Sequence, residues 1–107
     1  MPDLLLERLL GWIDAAPSPY HAAHNAASDF AASGFDRFSP NDAWGDSDRI
    51  VVSWGGVVVA AAFSTQVDPD RLRFRLVGAH TDSPNLRIKP NPDLSQVGYR
   101  QLGVEIY

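Results

Sequence analysis

The sequence predicts an α/β fold in which two N-terminal helices are followed by several β-strands. Two observations support this order. Up to about residue 34, apolar residues recur every three or four positions, which is the periodicity of amphipathic helices. Beyond residue 49, apolar residues form short runs and alternating patterns that are typical of strands. The 107 residues contain no repeats and no low-complexity segment, and we find no domain boundary.

Composition and charge restrict the class of protein. The chain is 45% apolar and 21% charged, which is typical of a soluble globular protein. Its formal net charge of −4 argues against a nucleic-acid partner or an anionic membrane, because both favour a basic surface. The absence of cysteine excludes disulfides and thiolate zinc ligands. The N-terminus lacks the basic region of a signal peptide, so we expect a cytoplasmic location.

Capping residues and apolar stripes define the two helices. Asp3 can cap the first helix, which Pro17 ends. Ser18 can cap the second, with Pro19 at its first position and Gly34 as a left-handed C-terminal cap. The apolar stripe expected on the first helix consists of Leu6, Leu9, Leu10 and Ile13. The stripe expected to be buried on the second consists of Tyr20, Ala23, Ala27, Phe30 and Ala31.

A loop and a hairpin follow the helices. Residues 39–48 are rich in Pro, Asn, Asp, Ser and Gly, which predicts a loop, and we expect Trp44 within it to fold back onto the surface. Residues 50–54 and 57–63 are β-prone runs separated by Gly55-Gly56. Two glycines between two such runs predict a β-hairpin with a two-residue turn.

Three more extended segments are predicted towards the C-terminus. Residues 72–77 alternate leucine or phenylalanine with arginine and predict a strand. Residues 86–89 predict a short extended piece that ends at Pro90. Residues 99–107 predict a last strand. Because Tyr107 lies inside this β-prone run, we expect the chain to be truncated there.

The stretch with the most chemical potential is Gly78-Ala79-His80-Thr81-Asp82-Ser83-Pro84. It follows a predicted strand directly, and strand ends are where α/β sheets place their sites. In an extended backbone, His80 and Asp82 point to the same side. Neutral imidazole is a common zinc ligand, and a nearby carboxylate can fix its tautomer. The spacing leaves open whether Asp82 bonds His80 directly.

Ordinary structural roles compete with these functional ones. A lone His-x-Asp is more often a hydrogen-bonded pair than a metal site, since a zinc site needs at least three protein ligands. His21 and His24 share a helix face without a carboxylate partner at helical spacing. Five basic residues are expected to form a solvated or subunit-facing surface, with binding of an acidic substrate as the alternative: Arg71, Arg73, Arg75, Arg87 and Lys89.

Three stretches, in order along the chain, resemble the M18 family of zinc aminopeptidases, of the aspartyl aminopeptidase type. Residues 78–90 read GAHTDSPNLRIKP and resemble the first zinc-ligand segment of the family. Residues 18–22 (SPYHA), followed by Gly-Phe at 34–35, resemble its N-terminal helix pair. Residues 98–107 resemble the strand just after the zinc segment. The similarity is weakest over residues 39–54.

The resemblance implies an α/β sandwich with a mixed sheet, an inserted dimerisation domain and two zinc ions per active site in the full-length enzyme. His80 would be the first zinc ligand and Asp82 its acidic catalytic partner, while no substrate-binding residue is assigned. The family's metal-bridging Asp, its general-base Glu and its other ligands follow the position of Tyr107 and are absent here. Residues 1–107 would be the N-terminal portion of the catalytic domain.

This resemblance favours an aminopeptidase fragment that is inactive by itself. The full-length protein would be a homo-oligomer that removes N-terminal, often acidic, residues from peptides. The alternative is a non-catalytic truncated module without peptidase activity. A serine hydrolase is poorly supported, because Ser53 and Ser83 lack the flanking glycines of a nucleophile elbow.

Overall fold

The computed structural model describes residues 3–64, 68–71 and 73–106, and it has the predicted order of helices and strands. The two helices are α1 (Leu4–Asp14) and α2 (Pro19–Ala32). The strands of the described residues are β1 (Asp36–Phe38), β2 (Arg49–Trp54), β3 (Val57–Ala62), β4 (Leu86–Gln96) and β5 (Tyr99–Ile106). A single 3-10 turn, Pro69–Arg71, follows β3. No helix of the described residues has the length and apolar character needed to cross a membrane.

The first three strands form a mixed sheet in the order β1-β2-β3. Strand β1 runs parallel to β2, with Asp36 opposite Ile50, and β2 runs antiparallel to β3. A mixed sheet was implied by the family resemblance and is confirmed. Strand β1 was not predicted, because three residues are too few to show a periodicity.

The predicted hairpin between β2 and β3 is confirmed. Trp54 pairs with Val57, so Gly55 and Gly56 alone form the turn. Gly55 has a φ of 53°, a conformation that costs a residue with a side chain more than it costs glycine. A Cβ atom on Gly56 would lie 3.0 Å from Cβ of Pro19. The hairpin turn is therefore packed closely against the first residue of α2.

The core lies between α2 and β2. Its buried side chains are Ala22, Ala23, Ala27, Ile50, Val51 and Val52. The small alanines let the helix approach the sheet closely. The predicted burial of Tyr20 is wrong, since 67% of that residue is exposed and Ala22 takes its place in the core. The Tyr20 ring extends towards the hairpin turn, where it comes near Gly55.

Local signals place the helix ends as predicted. The Asp3 carboxylate accepts a hydrogen bond from the backbone N–H of Leu5 at 3.1 Å. Ser18 Oγ accepts one from the N–H of His21, and the same hydroxyl lies 2.7 Å from His21 Nδ1. Gly34 has a φ of 88°, the left-handed conformation expected at the end of α2.

The apolar stripe of α1 is exposed, although the periodicity predicted an element packed on a core. Leu6, Leu9 and Ile13 are each more than half exposed. In the described part of the chain, the substantial contacts join α2 to β1, β2 and β3, and β4 to β5. Periodicity identifies an apolar face, but burial also requires a surface that covers it.

The predicted strand over residues 72–77 is not found among its described residues, which begin at 73; Leu72 lies outside them. Residues 73–77 make no ladder with any described strand. Val77 is fully exposed. Strand β3 is at the edge of its sheet in the described structure, so the alternating pattern of this segment has no hydrogen-bonded neighbour there.

Strand β4 continues beyond the end predicted at Pro90. Between the pairs Ile88–Val104 and Asp93–Leu102, the four residues 89–92 lie opposite Gly103 alone, which makes a large irregular bulge. A bulge tolerates proline because the ladder is interrupted there. Gly103 is buried, and a Cβ on it would come within 3.5 Å of the carbonyl oxygen of Pro92. Strand β5 agrees with the prediction through Ile106; Tyr107 lies outside the described residues.

Candidate metal site at His80 and Asp82

The structure brings His80 and Asp82 into direct contact. His80 Nδ1 lies 2.6 Å from the backbone carbonyl oxygen of Asp82 and 3.1 Å from its carboxylate Oδ1. The two side chains are 81% and 79% exposed. The sequence left open whether Asp82 bonds His80 directly, and the geometry answers that it does.

This contact determines the useful tautomer of His80. A carbonyl oxygen can only accept a hydrogen bond. Nδ1 must therefore be protonated, and its N–H donates the hydrogen bond to the backbone oxygen of Asp82. In the neutral imidazole, Nε2 then has the free lone pair. Metal-ligating histidines show the same arrangement, in which one ring nitrogen donates a hydrogen bond to an oxygen and the other is left to bind the metal.

Two side-chain hydrogen bonds tie this segment to distant parts of the fold. Thr81 Oγ1 donates to the carbonyl oxygen of Gly56 at 2.7 Å. Asn85 Nδ2 donates to the carbonyl oxygen of Pro17 at 2.9 Å, and Asn85 Oδ1 accepts from the N–H of Leu86. The acceptors lie in the hairpin turn and in the corner between α1 and α2. Thr81 is not among the residues singled out from the sequence, because its acceptor lies 25 residues away along the chain.

His80 and Asp82 also line an open cleft of about 640 Å³. Its other walls come mainly from apolar side chains of α1, α2 and β3, including Trp12, Phe30 and Val58. Arg75 lines the same cleft. Of the other basic residues, Arg71 pairs with Asp68 at 3.8 Å, while Arg87 and Lys89 belong to β4. Of the five basic residues, all of them described, Arg75 alone lines this cleft.

The donor set is suited to zinc but incomplete. The described residues hold no group of three or more His, Asp or Glu side chains placed to bind one metal ion. His21 is engaged with Ser18 at the start of α2, so its ring serves the helix cap. One imidazole with an acidic partner fits the beginning of a zinc site, whereas a complete site needs at least three protein ligands.

Comparison with known proteins identifies one family. A family model described as aminopeptidase I zinc metalloprotease (M18) matches residues 12–107. The chain is 46% identical over 101 residues to a probable M18 family aminopeptidase 2 of Streptomyces avermitilis, covering 92% of this chain. It is 38% identical over 109 residues to a protein of the same name in Pseudomonas syringae pv. tomato, covering all of this chain.

A solved structure supports the fold. A chain in a cryo-EM structure of the Ape4 and Nbr1 complex superposes with a TM-score of 0.77 at 31% identity, over 94% of this chain. The present chain covers 20% of that chain. It likewise spans 23% of the Streptomyces protein and 25% of the Pseudomonas protein. The similarity therefore concerns about a quarter of the length of these relatives.

Proposed function

The chain belongs to the M18 family of zinc metalloproteases, and we propose that the full-length protein is a zinc-dependent aminopeptidase that removes N-terminal residues, acidic ones in particular, from peptides. The observation that carries this proposal is the family match over residues 12–107, which includes His80 with its Nε2 lone pair free. The acidic preference comes from the resemblance to aspartyl aminopeptidases.

Within this proposal, His80 binds zinc through Nε2 and Asp82 is its catalytic acidic partner. The other ligands of a two-zinc site, and the general base, belong to the part of the relatives' length that this chain does not cover. Bound zinc would polarise the scissile carbonyl and acidify a bound water. Asp82 accepts a hydrogen bond from the Nδ1–H of His80 and holds the imidazole in one orientation, which makes Nε2 the better electron-pair donor to the metal.

The place of the chain in the whole protein follows from the same proposal. Residues 1–107 form the N-terminal portion of the metallopeptidase catalytic domain, supported by a family match that leaves out only the first eleven residues. A homo-oligomeric assembly and a cytoplasmic location of the full-length protein stay predictions.

The test replaces one histidine at a time in the full-length protein. His80→Ala should lose peptidase activity and lower the zinc content, because a metal ligand is removed. His24→Ala is the matched control, since His24 is an exposed histidine on α2 outside the cleft. The zinc content of each purified protein is measured. The rate of hydrolysis is measured with acidic and with neutral aminoacyl substrates. Full activity of His80→Ala would rule out the metallopeptidase assignment, and equal rates on all substrates would rule out the acidic preference.

The 107-residue chain itself should hydrolyse no substrate and bind zinc weakly. A single imidazole with one acidic partner leaves most of the coordination to water, and the described residues offer no third ligand. Calorimetric titration of the chain with zinc, in parallel with the same hydrolysis assay, measures both. Tight one-site binding with turnover would contradict this part of the proposal.

A further inference from the structure

We propose that Thr81 is the positioning residue of the zinc site, acting through its hydrogen bond to the hairpin turn rather than through contact with metal or substrate. The inference rests on the proposed function, since it concerns how His80 is held. Its basis is the 2.7 Å bond from Thr81 Oγ1 to the carbonyl oxygen of Gly56, across 25 residues of sequence.

Exposure separates Thr81 from its two neighbours. In an extended backbone, alternate side chains point to opposite sides. His80 and Asp82 are both about four-fifths exposed, whereas Thr81 is half-buried against the scaffold. All three residues line the cleft, but only Thr81 is fastened to the hairpin turn by a side-chain hydrogen bond.

The acceptor of this bond is itself fixed. Gly56 is held close to Pro19, since a Cβ on Gly56 would lie 3.0 Å from Cβ of Pro19 and would require a small shift of one of the two residues. Pro19 is the first residue of α2, and α2 packs on the sheet through buried alanines. Thr81 thus connects the site to the part of the described structure that contains the buried core.

The segment needs such an anchor. Residues 73–80, which lead to the site, make no ladder with the described strands. Asn85 provides a second attachment, to the carbonyl oxygen of Pro17, two residues before Pro19. Both bonds lead to the same corner of the fold, one on each side of Asp82. A functional site must be held within about 0.5 Å of its working geometry, and Thr81 is the anchor nearest to His80.

The test compares two substitutions in the full-length protein. Thr81→Val keeps the shape and removes the hydroxyl, while Thr81→Ser keeps the hydroxyl. We expect Thr81→Val to weaken zinc affinity, measured by competition with a chelator, by about 10–100-fold, the usual effect of losing a residue that orients a ligand. We expect kcat to fall with KM unchanged, since the Thr81 hydroxyl is engaged with the carbonyl oxygen of Gly56 and acts on His80 through the backbone. Thr81→Ser should have nearly the zinc affinity and kcat of the wild-type protein.

Wild-type zinc affinity and kcat in Thr81→Val would overturn the inference, and so would a Thr81→Ser protein as impaired as Thr81→Val. These outcomes differ from failure of the proposed function, in which the wild-type protein itself would bind no zinc and hydrolyse no peptide. If Thr81→Val does not fold, Gly56→Ala provides the test, because it retains the hydroxyl and displaces its acceptor. Normal zinc affinity in a folded Gly56→Ala protein with a displaced turn would equally overturn the inference.

Discussion

At the scale of single residues, His80 shows how one hydrogen bond determines the chemistry of a ring. Its Nδ1 lies between two oxygens of Asp82, the backbone carbonyl at 2.6 Å and the carboxylate at 3.1 Å. The backbone oxygen fixes the tautomer whatever side chain stands at position 82. The carboxylate adds negative charge near the ring, which increases the donor strength of Nε2.

Replacing Asp82 by Asn in the full-length protein separates these two contributions. The backbone acceptor and the amide oxygen remain, so most of the zinc should stay bound. The negative charge is lost, so turnover should fall by about 10–100-fold. Metal analysis and kcat on an acidic aminoacyl substrate measure the two effects. Asp46→Asn, in the exposed 39–48 loop, is the matched control. Loss of all zinc from Asp82→Asn would show that the carboxylate holds the metal directly.

The sequence identified His80 and Asp82 but could not identify the anchor between them. A histidine and a carboxylate two positions apart are recognisable because their chemistry is unusual. A threonine hydroxyl acts through whichever acceptor the fold places nearby. The acceptor of Thr81 is a carbonyl 25 residues away, and nothing in the local sequence specifies it.

At the scale of elements, the features that depend on neighbouring residues were predicted correctly, whereas two features that depend on a partner strand were not. Both helix starts and the Gly55-Gly56 turn agree with the predictions, because caps and tight turns depend on residues a few positions apart. Strand β1 and the continuation of β4 past Pro90 were missed. Strand β1 depends on its pairing with β2. The continuation of β4 depends on its pairing with β5, where Gly103 alone lies opposite the bulge.

The cap of α2 gives a prediction at this scale. Ser18→Ala removes the oxygen that accepts from the N–H of His21 and pairs with its ring. The free energy of unfolding should fall by about 1 kcal/mol, the usual cost of losing an N-cap. Ser18→Asp should restore most of it, since a carboxylate also caps a helix start. Urea denaturation of the three proteins measures the change. Equal stability of Ser18→Ala and wild type would show that the cap contributes little.

At the scale of the whole molecule, large apolar faces are not covered by any other part of the described chain. The radius of gyration is 19.8 Å, compared with about 13 Å for a compact domain of this length. The apolar faces of α1 and of the β4–β5 hairpin are more than half exposed at Leu9, Leu102 and Ile106. Surfaces of this kind mark interfaces in stable proteins and lead to association when they are uncovered.

The 107-residue chain should therefore self-associate in solution. Sedimentation velocity over a concentration series should show species larger than a monomer. Leu9→Lys on α1 and Ile106→Lys on β5 should each shift the distribution towards the monomer, because each places a charge on an apolar face. Asn41→Lys, in the loop before β2, introduces the same charge and should not change it. A monomer at the highest concentration would show that these faces do not drive association.

The packing of α2 on β1, β2 and β3 has a consequence for the order of events during synthesis. This unit uses a continuous stretch of chain, from Pro19 to Ala62. Asp82 follows 20 residues after Ala62, which a ribosome adds in about 1–4 s at the usual rate. Gly56 leaves the ribosome 25 residues ahead of Thr81, and a hairpin closes within microseconds, so the carbonyl oxygen of Gly56 is in place before Thr81 emerges. The segment that carries His80 and Asp82 then docks onto a finished surface as it emerges.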